Sequence, residues 1–150
     1  MRKKCPYKVT FLGKLPQKEL AKVYNSCDIF ALLSFSEGLP LTVIEALACG
    51  DRVVMTDLPG VKEWIDTYAP GADIRYVTLP LMRNVDEAVP ATLPDFERRI
   101  GQRIWESVEA GKTKEVDVSG LSWTKICRRS AESIISDIIK YIKKTDEKCH

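Results

Sequence analysis

Two carboxylates carry the chemistry that this chain could do. In LSFSEGLPLTVIEALACG, residues 33–50, Glu45 lies inside an almost wholly apolar helical stretch and Glu37 just before it, with seven residues between them. Desolvating a carboxylate costs free energy unless something pairs with it. Glu45 therefore needs either a buried Lys or Arg or the hydroxyls of a ligand, and Glu37 is either a ligand contact or a solvated loop residue. Gly38 lets a ligand approach the backbone closely, and the amides around Gly38 and Leu39, at the positive end of the helix entered through Pro40, favour an anion such as phosphate. A ligand bridging the two acids would straddle the helix tip. It would carry hydroxyls at both ends and negative charge in its middle, which is the layout of a nucleotide sugar. A glycosidase pair fits less well, because its carboxylates must flank one bond at about 5 to 9.5 Å. A dinucleotide loop is excluded by the absence of G-x-G-x-x-G. Ser34 and Ser36 read either as site residues or as ordinary turn residues. Thr56 and Asp57, at a strand end, either join the site or cap the next helix. Trp64, Trp105 and Trp123 read as core or half-buried packing.

The elements that must position these groups follow from periodicity. KVTFL (8–12) is a short β-rich run ended by Gly13, and LPQKELAKVYNSC is helical through Leu20, Val23, Tyr24 and Cys27. DIFALL (28–33) is continuously apolar after Asp28, as suits a strand covered on both faces of a parallel sheet. After the SFSEG loop, Pro40 suits the first helical turn and Gly50 a left-handed end. RVVMTD is the next strand, LPG its turn and VKEWID a short helix. A weaker strand spans 73–78, and Pro80, Pro90 and Pro94 punctuate an irregular connection. Asp95 is the expected N-cap of FERRIGQRIWESVEA, with Gly111 at its end, and a long amphipathic helix starts at Ser122. The pattern predicts an α/β fold: a Rossmann-like parallel sheet flanked by helices, in a single domain over residues 1–150.

Composition narrows the function further. The chain is 45% hydrophobic and 29% charged, and its 23 basic and 21 acidic side chains leave a net charge of +2. That balance gives no reason to expect nucleic acid or an anionic membrane as partner. Residues 1–4 are not followed by a signal-peptide core, and no apolar run is long enough to span a membrane, so a cytoplasmic location is expected. The five cysteines are scattered without CxxC spacing, and the single histidine is the last residue, His150. Neither a disulfide framework nor a metal site is suggested.

The segment VTFLGKLPQKELAKVYNSCDIFALLSFSEGLPLTVIEALACGDRVVMTDLPGVKEWI resembles the C-terminal, donor-binding domain of the retaining GT-B glycosyltransferases of the group-1 (family-four) class. The resemblance rests on the two glutamates in register, the EGLP loop, EALACG and VVMTDLPGVKEWI. It covers about residues 7–78, and the later Ser122–Trp123 pair before a long helix is similar to the family's ending. It implies transfer of a sugar, with retention, from a UDP-, GDP- or similar nucleotide sugar, with no metal and no other cofactor, in polysaccharide or glycolipid assembly. Glu37 would contact donor-sugar hydroxyls and Glu45 the ribose. Gly13, Ser34, Gly38, Leu39 and Pro40 complete the implied donor site.

Departures from the family carry their own expectations. The N-terminal acceptor domain, which would receive a glycan or lipid-linked acceptor, is missing, as are the first two strands of the donor domain and their diphosphate-binding Arg and Lys. The chain thus reads as a GT-B C-terminal domain truncated on its N-terminal side, inactive alone and membrane-peripheral at most when complete. The alternative is a noncatalytic binding or regulatory remnant of the same fold. Asp51 replaces the proline common after CG, and Leu33 the one common before the loop serine. In the family's strand order KVTFL and DIFALL are not neighbours. The expectation is that KVTFL shifts to pair with DIFALL through the helix at 17–26, or else that a second copy fills the gap and makes a homo-oligomer.

Overall fold

The computed structural model describes residues 7–110, 113, 116–121, 125, 128, 132, 135 and 136. Among the described residues, α-helices and strands alternate through α1 (Gln17–Ser26), β1 (Ile29–Leu32), α2 (Leu41–Ala48), β2 (Arg52–Thr56), α3 (Val61–Tyr68), β3 (Ile74–Val77) and α4 (Leu93–Glu109), with short 3-10 turns at Pro90–Thr92 and Ser119–Leu121. The strands form one parallel sheet in the order β1-β2-β3, with Phe30 beside Val53 and Met55 beside Tyr76. Each crossover is a helix, as parallel neighbours require.

The period of two along the strands assigns the faces. Phe30, Leu32, Val53, Met55, Ile74 and Tyr76 turn to the side of α1, α2 and α3, where Tyr24, Val43, Leu47, Val61 and Ile65 close the larger core. Ile29, Val54 and Val77 turn to the other side and meet Phe96, Ile100 and Ile104 of α4. All five residues of β2 are buried, which is why RVVMT is apolar on both faces apart from its two ends. Arg52 is tolerated there because its guanidinium donates to Asp73 at 2.8 Å and to the Ser107 carbonyl at 2.8 Å.

The structure departs from the sequence expectation at the amino-terminal run. KVTFL is not a strand. Residues 8–12 lie outside the sheet with Val9, Phe11 and Leu12 exposed. The expected pairing with DIFALL is absent: local β propensity is not enough where no partner edge is met. Asp95 does not cap α4, which begins at Leu93 after Thr92 without a side-chain cap; Asp95 sits in the first turn and pairs with Arg98 and Arg99. Pro40 is the residue before α2 rather than within its first turn, whereas Gly50 does take the left-handed conformation, with φ 83°. Trp105 is 63% exposed, against the expectation of packing. Trp123, Gly111 and most of the helix expected from Ser122 lie outside the described residues.

Candidate functional site

Parallel strands deliver their carboxyl ends to one edge, where three loops emerge. Residues 33–40 follow β1, residues 57–60 follow β2, and residues 78–89 follow β3. They meet in a cleft of about 320 Å³ lined by Phe35, Ser36, Glu37, Leu58, Leu79 and Asn84, among others. The last loop is braced by an antiparallel bridge between Met82 and Ala88 and by the Arg83–Glu87 ion pair. Glu37 is exposed at this cleft, and no ion pair engages it among the described residues.

A second cleft, of about 240 Å³, lies where the amino termini of α2 and α3 come together. Gly38, Leu39, Pro40, Pro59, Gly60, Val61 and Trp64 line it. Neither helix has a side-chain cap; backbone carbonyls accept from the Leu41, Val43 and Val61 N–H groups, which leaves the remaining first-turn N–H groups for a ligand or water. Gly60 makes the turn into α3 with φ 78°, a left-handed conformation that glycine takes without strain. The absence of a cap on α3 also settles the alternative role of Thr56 and Asp57. Asp57 is exposed and its N–H joins the sheet through the Val77 carbonyl. Thr56 is fully buried, and its hydroxyl has no partner.

Glu45 is half-buried on the flank of α2 that faces α1. Gln17 Nε2 donates to its Oε1 at 3.4 Å, and Tyr24 lines the same hollow. Burial pushes the Tyr24 hydroxyl pKa up, and the Glu45 charge adds to that shift. Among the described residues no Lys or Arg pairs with Glu45. Its partner Gln17 is a neutral donor beside a cavity of about 190 Å³ lined by Gln17, Ala21, Tyr24, Glu45, Ala48 and Cys49. Glu37 and Glu45 thus belong to different hollows, and residues 38–40, which separate them in the chain, line the helix-tip cleft.

Of the other expected site residues, Gly38, Leu39 and Pro40 line the helix-tip cleft. Ser34 is half-buried at the start of its loop. Gly13 has φ 64° and is exposed, and it lines none of the three hollows. Sequence reasoning missed Gln17 and Tyr24 as neighbours of Glu45, because the contact spans 28 positions. It also missed the β3 loop, whose irregular, proline-punctuated sequence carries no recognisable signal. Trp64 does pack, against Tyr68 with ring centroids 5.4 Å apart, yet it also walls the helix-tip cleft. No group of three or more metal-ligating side chains occurs among the described residues, and no described helix is long and apolar enough to cross a membrane.

Comparison with known proteins places this arrangement. Residues 3–74 match the family model "Glycosyl transferases group 1". The chain is similar to an N,N'-diacetylbacillosaminyl-diphospho-undecaprenol alpha-1,3-N-acetylgalactosaminyltransferase of Campylobacter jejuni, 38% identical over 92 residues, covering 61% of this chain and 23% of that protein. It is also similar to D-inositol 3-phosphate glycosyltransferases of Mycobacterium ulcerans, 41% identical over 54 residues (36% of this chain, 12% of that protein), and Nocardia farcinica, 37% identical over 68 residues (45% and 15%). The chain therefore spans less than a quarter of the length of these relatives, 23% at most. No solved structure matches. The Rossmann-like α/β sheet and the helix-tip loop agree with this match: residues 3–74 are similar to the group 1 glycosyl transferases.

Proposed function

We propose that the chain supplies the donor-binding part of a retaining sugar transferase that takes a nucleotide-diphosphate sugar, in polysaccharide or glycolipid assembly. The observation that carries this reading is the meeting of two uncapped helix amino termini at the carboxyl edge of the sheet, with Glu37 at the cleft on one side and Glu45 on the flank of α2. Helix-terminal N–H groups suit the diphosphate. Glu45 suits the ribose, since a ligand hydroxyl can join or replace its neutral donor Gln17 without any cation to displace among the described residues. Glu37, unpaired at the larger cleft, suits the hydroxyls of the transferred sugar.

Among the described residues no Lys or Arg lines either cleft, so backbone dipoles are the chain's own means of holding the diphosphate, and no metal is invoked. The acceptor would be a glycan or a lipid-linked saccharide. The Campylobacter relative is named for an undecaprenol-linked saccharide, which favours the lipid-linked class and a membrane-peripheral setting for a complete enzyme. A noncatalytic nucleotide-sugar-binding role needs the same donor site.

Calorimetry against nucleoside diphosphates and their sugars, with chelator present, tests the reading. Binding is expected to persist in chelator, and Glu45→Gln is expected to weaken it by about 1.5 to 3 kcal/mol, the range for hydrogen bonds to a charged group. Equal affinities of variant and parent would remove Glu45 from the ribose. Absence of binding by every nucleotide would remove the donor site.

A further inference from the structure

The larger cleft and the helix-tip cleft adjoin. Pro59 lines both, and Glu37 and Gly38, neighbours in the chain, line one each. A group bonded to an anion at the helix tips is thereby directed to the larger cleft. There the β1 loop supplies one wall, with Phe35 held against Phe96 at 5.8 Å between ring centroids and the polar Ser36 and Glu37 beyond it. The β3 loop supplies the other.

This second wall is built as a small antiparallel hairpin. The Val89 N–H donates to the Leu81 carbonyl and the Arg83 N–H to the Glu87 carbonyl, both at 2.7 Å, on either side of the Met82–Ala88 bridge. Asn84 stands at the turn. Its Oδ1 accepts from the Asp86 N–H at 3.1 Å, and its Nδ2 donates to Glu87 Oε2 at 3.2 Å. A carboxamide has two N–H donors and two acceptor lone pairs. The loop uses one of each, which fixes the orientation of the amide and leaves the other two for a ligand. Leu79, Met82 and Val85 line the same wall and set aliphatic surface beside that amide.

A sugar hydroxyl satisfies the amide and leaves the aliphatic surface facing water. An acetamido substituent matches both, since it carries an amide and a methyl group side by side. Resting on the donor-site reading above, we propose that the larger cleft takes the transferred sugar with an acetamido substituent turned to the β3 loop, and that Asn84 is the residue that selects it. A site made to bond one polar group disfavours the analogue that lacks it. Burial of the methyl adds about fourfold in affinity, the worth of one buried carbon.

Calorimetry of the chain with UDP, UDP-glucose and UDP-N-acetylglucosamine tests the proposal. UDP reports the donor site alone, and the two sugars differ only in the acetamido group. The parent should bind UDP-N-acetylglucosamine about fourfold tighter than UDP-glucose. Asn84→Ala should weaken UDP-N-acetylglucosamine by about two- to tenfold, the range for one neutral hydrogen bond, and leave UDP unchanged. If Asn84 only braces the hairpin, both sugars weaken equally, and Asn84 is not the selecting residue. Val85→Ser, at a side chain 68% exposed, should bring the ratio of the two sugars toward one without touching the hairpin's bonds. Equal affinities of the two sugars in the parent, or a ratio that neither variant changes, would overturn the proposal and leave the donor site in place. Failure of UDP to bind would overturn it together with the donor-site reading for uridine nucleotides.

Discussion

At the scale of single residues, Asp51 contrasts with the two glutamates. Glu45 has the neutral donor Gln17 and an adjoining hollow, and Glu37 borders a cleft. Asp51 has neither. It is 1% exposed, both carboxylate oxygens lack a partner, and its pKa is pushed up to about 6, first by burial and then by the nearby Asp28 charge. The consequence for stability has a definite sign. Below the ordinary value of 3.8 the carboxyl is neutral in both folded and unfolded chains, and burial of its charge costs nothing. As pH rises toward 6 the unfolded chain ionises first and the folded state loses ground. Above about 6 the loss levels off at roughly 3 kcal/mol. Asp51→Asn should therefore leave stability near pH 4 unchanged and raise it near neutrality. Urea unfolding at several pH values checks this. A parent whose stability does not fall through that window would show that Asp51 is not the group responsible.

At the scale of elements, the turn from β2 into α3 is the most demanding piece of backbone at the site. Gly60 is left-handed, with no heavy atom near the place a Cβ would occupy, so substitution there meets no clash, only conformational strain. Gly60→Ala should cost about 1 to 2 kcal/mol of stability, measured by denaturant unfolding, and should weaken nucleotide binding by tilting the α3 terminus. The same element shows how legible the fold was. DIFALL, RVVMTD and VKEWID name their strands and helix because each has a periodicity set by burial on known faces. Gly50 announces the end of α2 by its conformational freedom. KVTFL has as strong a β composition as DIFALL but is no strand here, since a strand exists only when another backbone pairs with it. Glu37, Glu45 and the 38–40 loop stand out as candidates in the sequence because they are close together in it. Gln17, Tyr24 and the 79–85 wall were not, because tertiary packing alone brings them to the site. Asp95 misled because an acid before an amphipathic run serves equally as a cap or as an ion-pair partner one turn in.

At the scale of the whole molecule, the proposed donor site has no Lys or Arg lining either cleft among the described residues. Stabilising the departing diphosphate is the main electrostatic task of such a transfer, and losing groups of that kind typically costs about 100- to 1,000-fold in rate. The isolated chain should therefore bind nucleotide without transferring sugar to any acceptor. Product formation from a radiolabelled nucleotide sugar, followed against a saccharide acceptor panel, checks this; sustained turnover by pure chain would show that the helix termini suffice.

The β3 loop has a consequence for inheritance. Its own bridge and ion pair hold its tip together, while Leu79 packs against the larger core and the Leu81 N–H donates to Thr92 Oγ1. Glu45, by contrast, is built into a core helix whose other face is buried. The tip of the loop, residues 82–88, is thus the part of this edge that can change length or sequence at least cost to the scaffold, whereas a change at Glu45 disturbs a core helix.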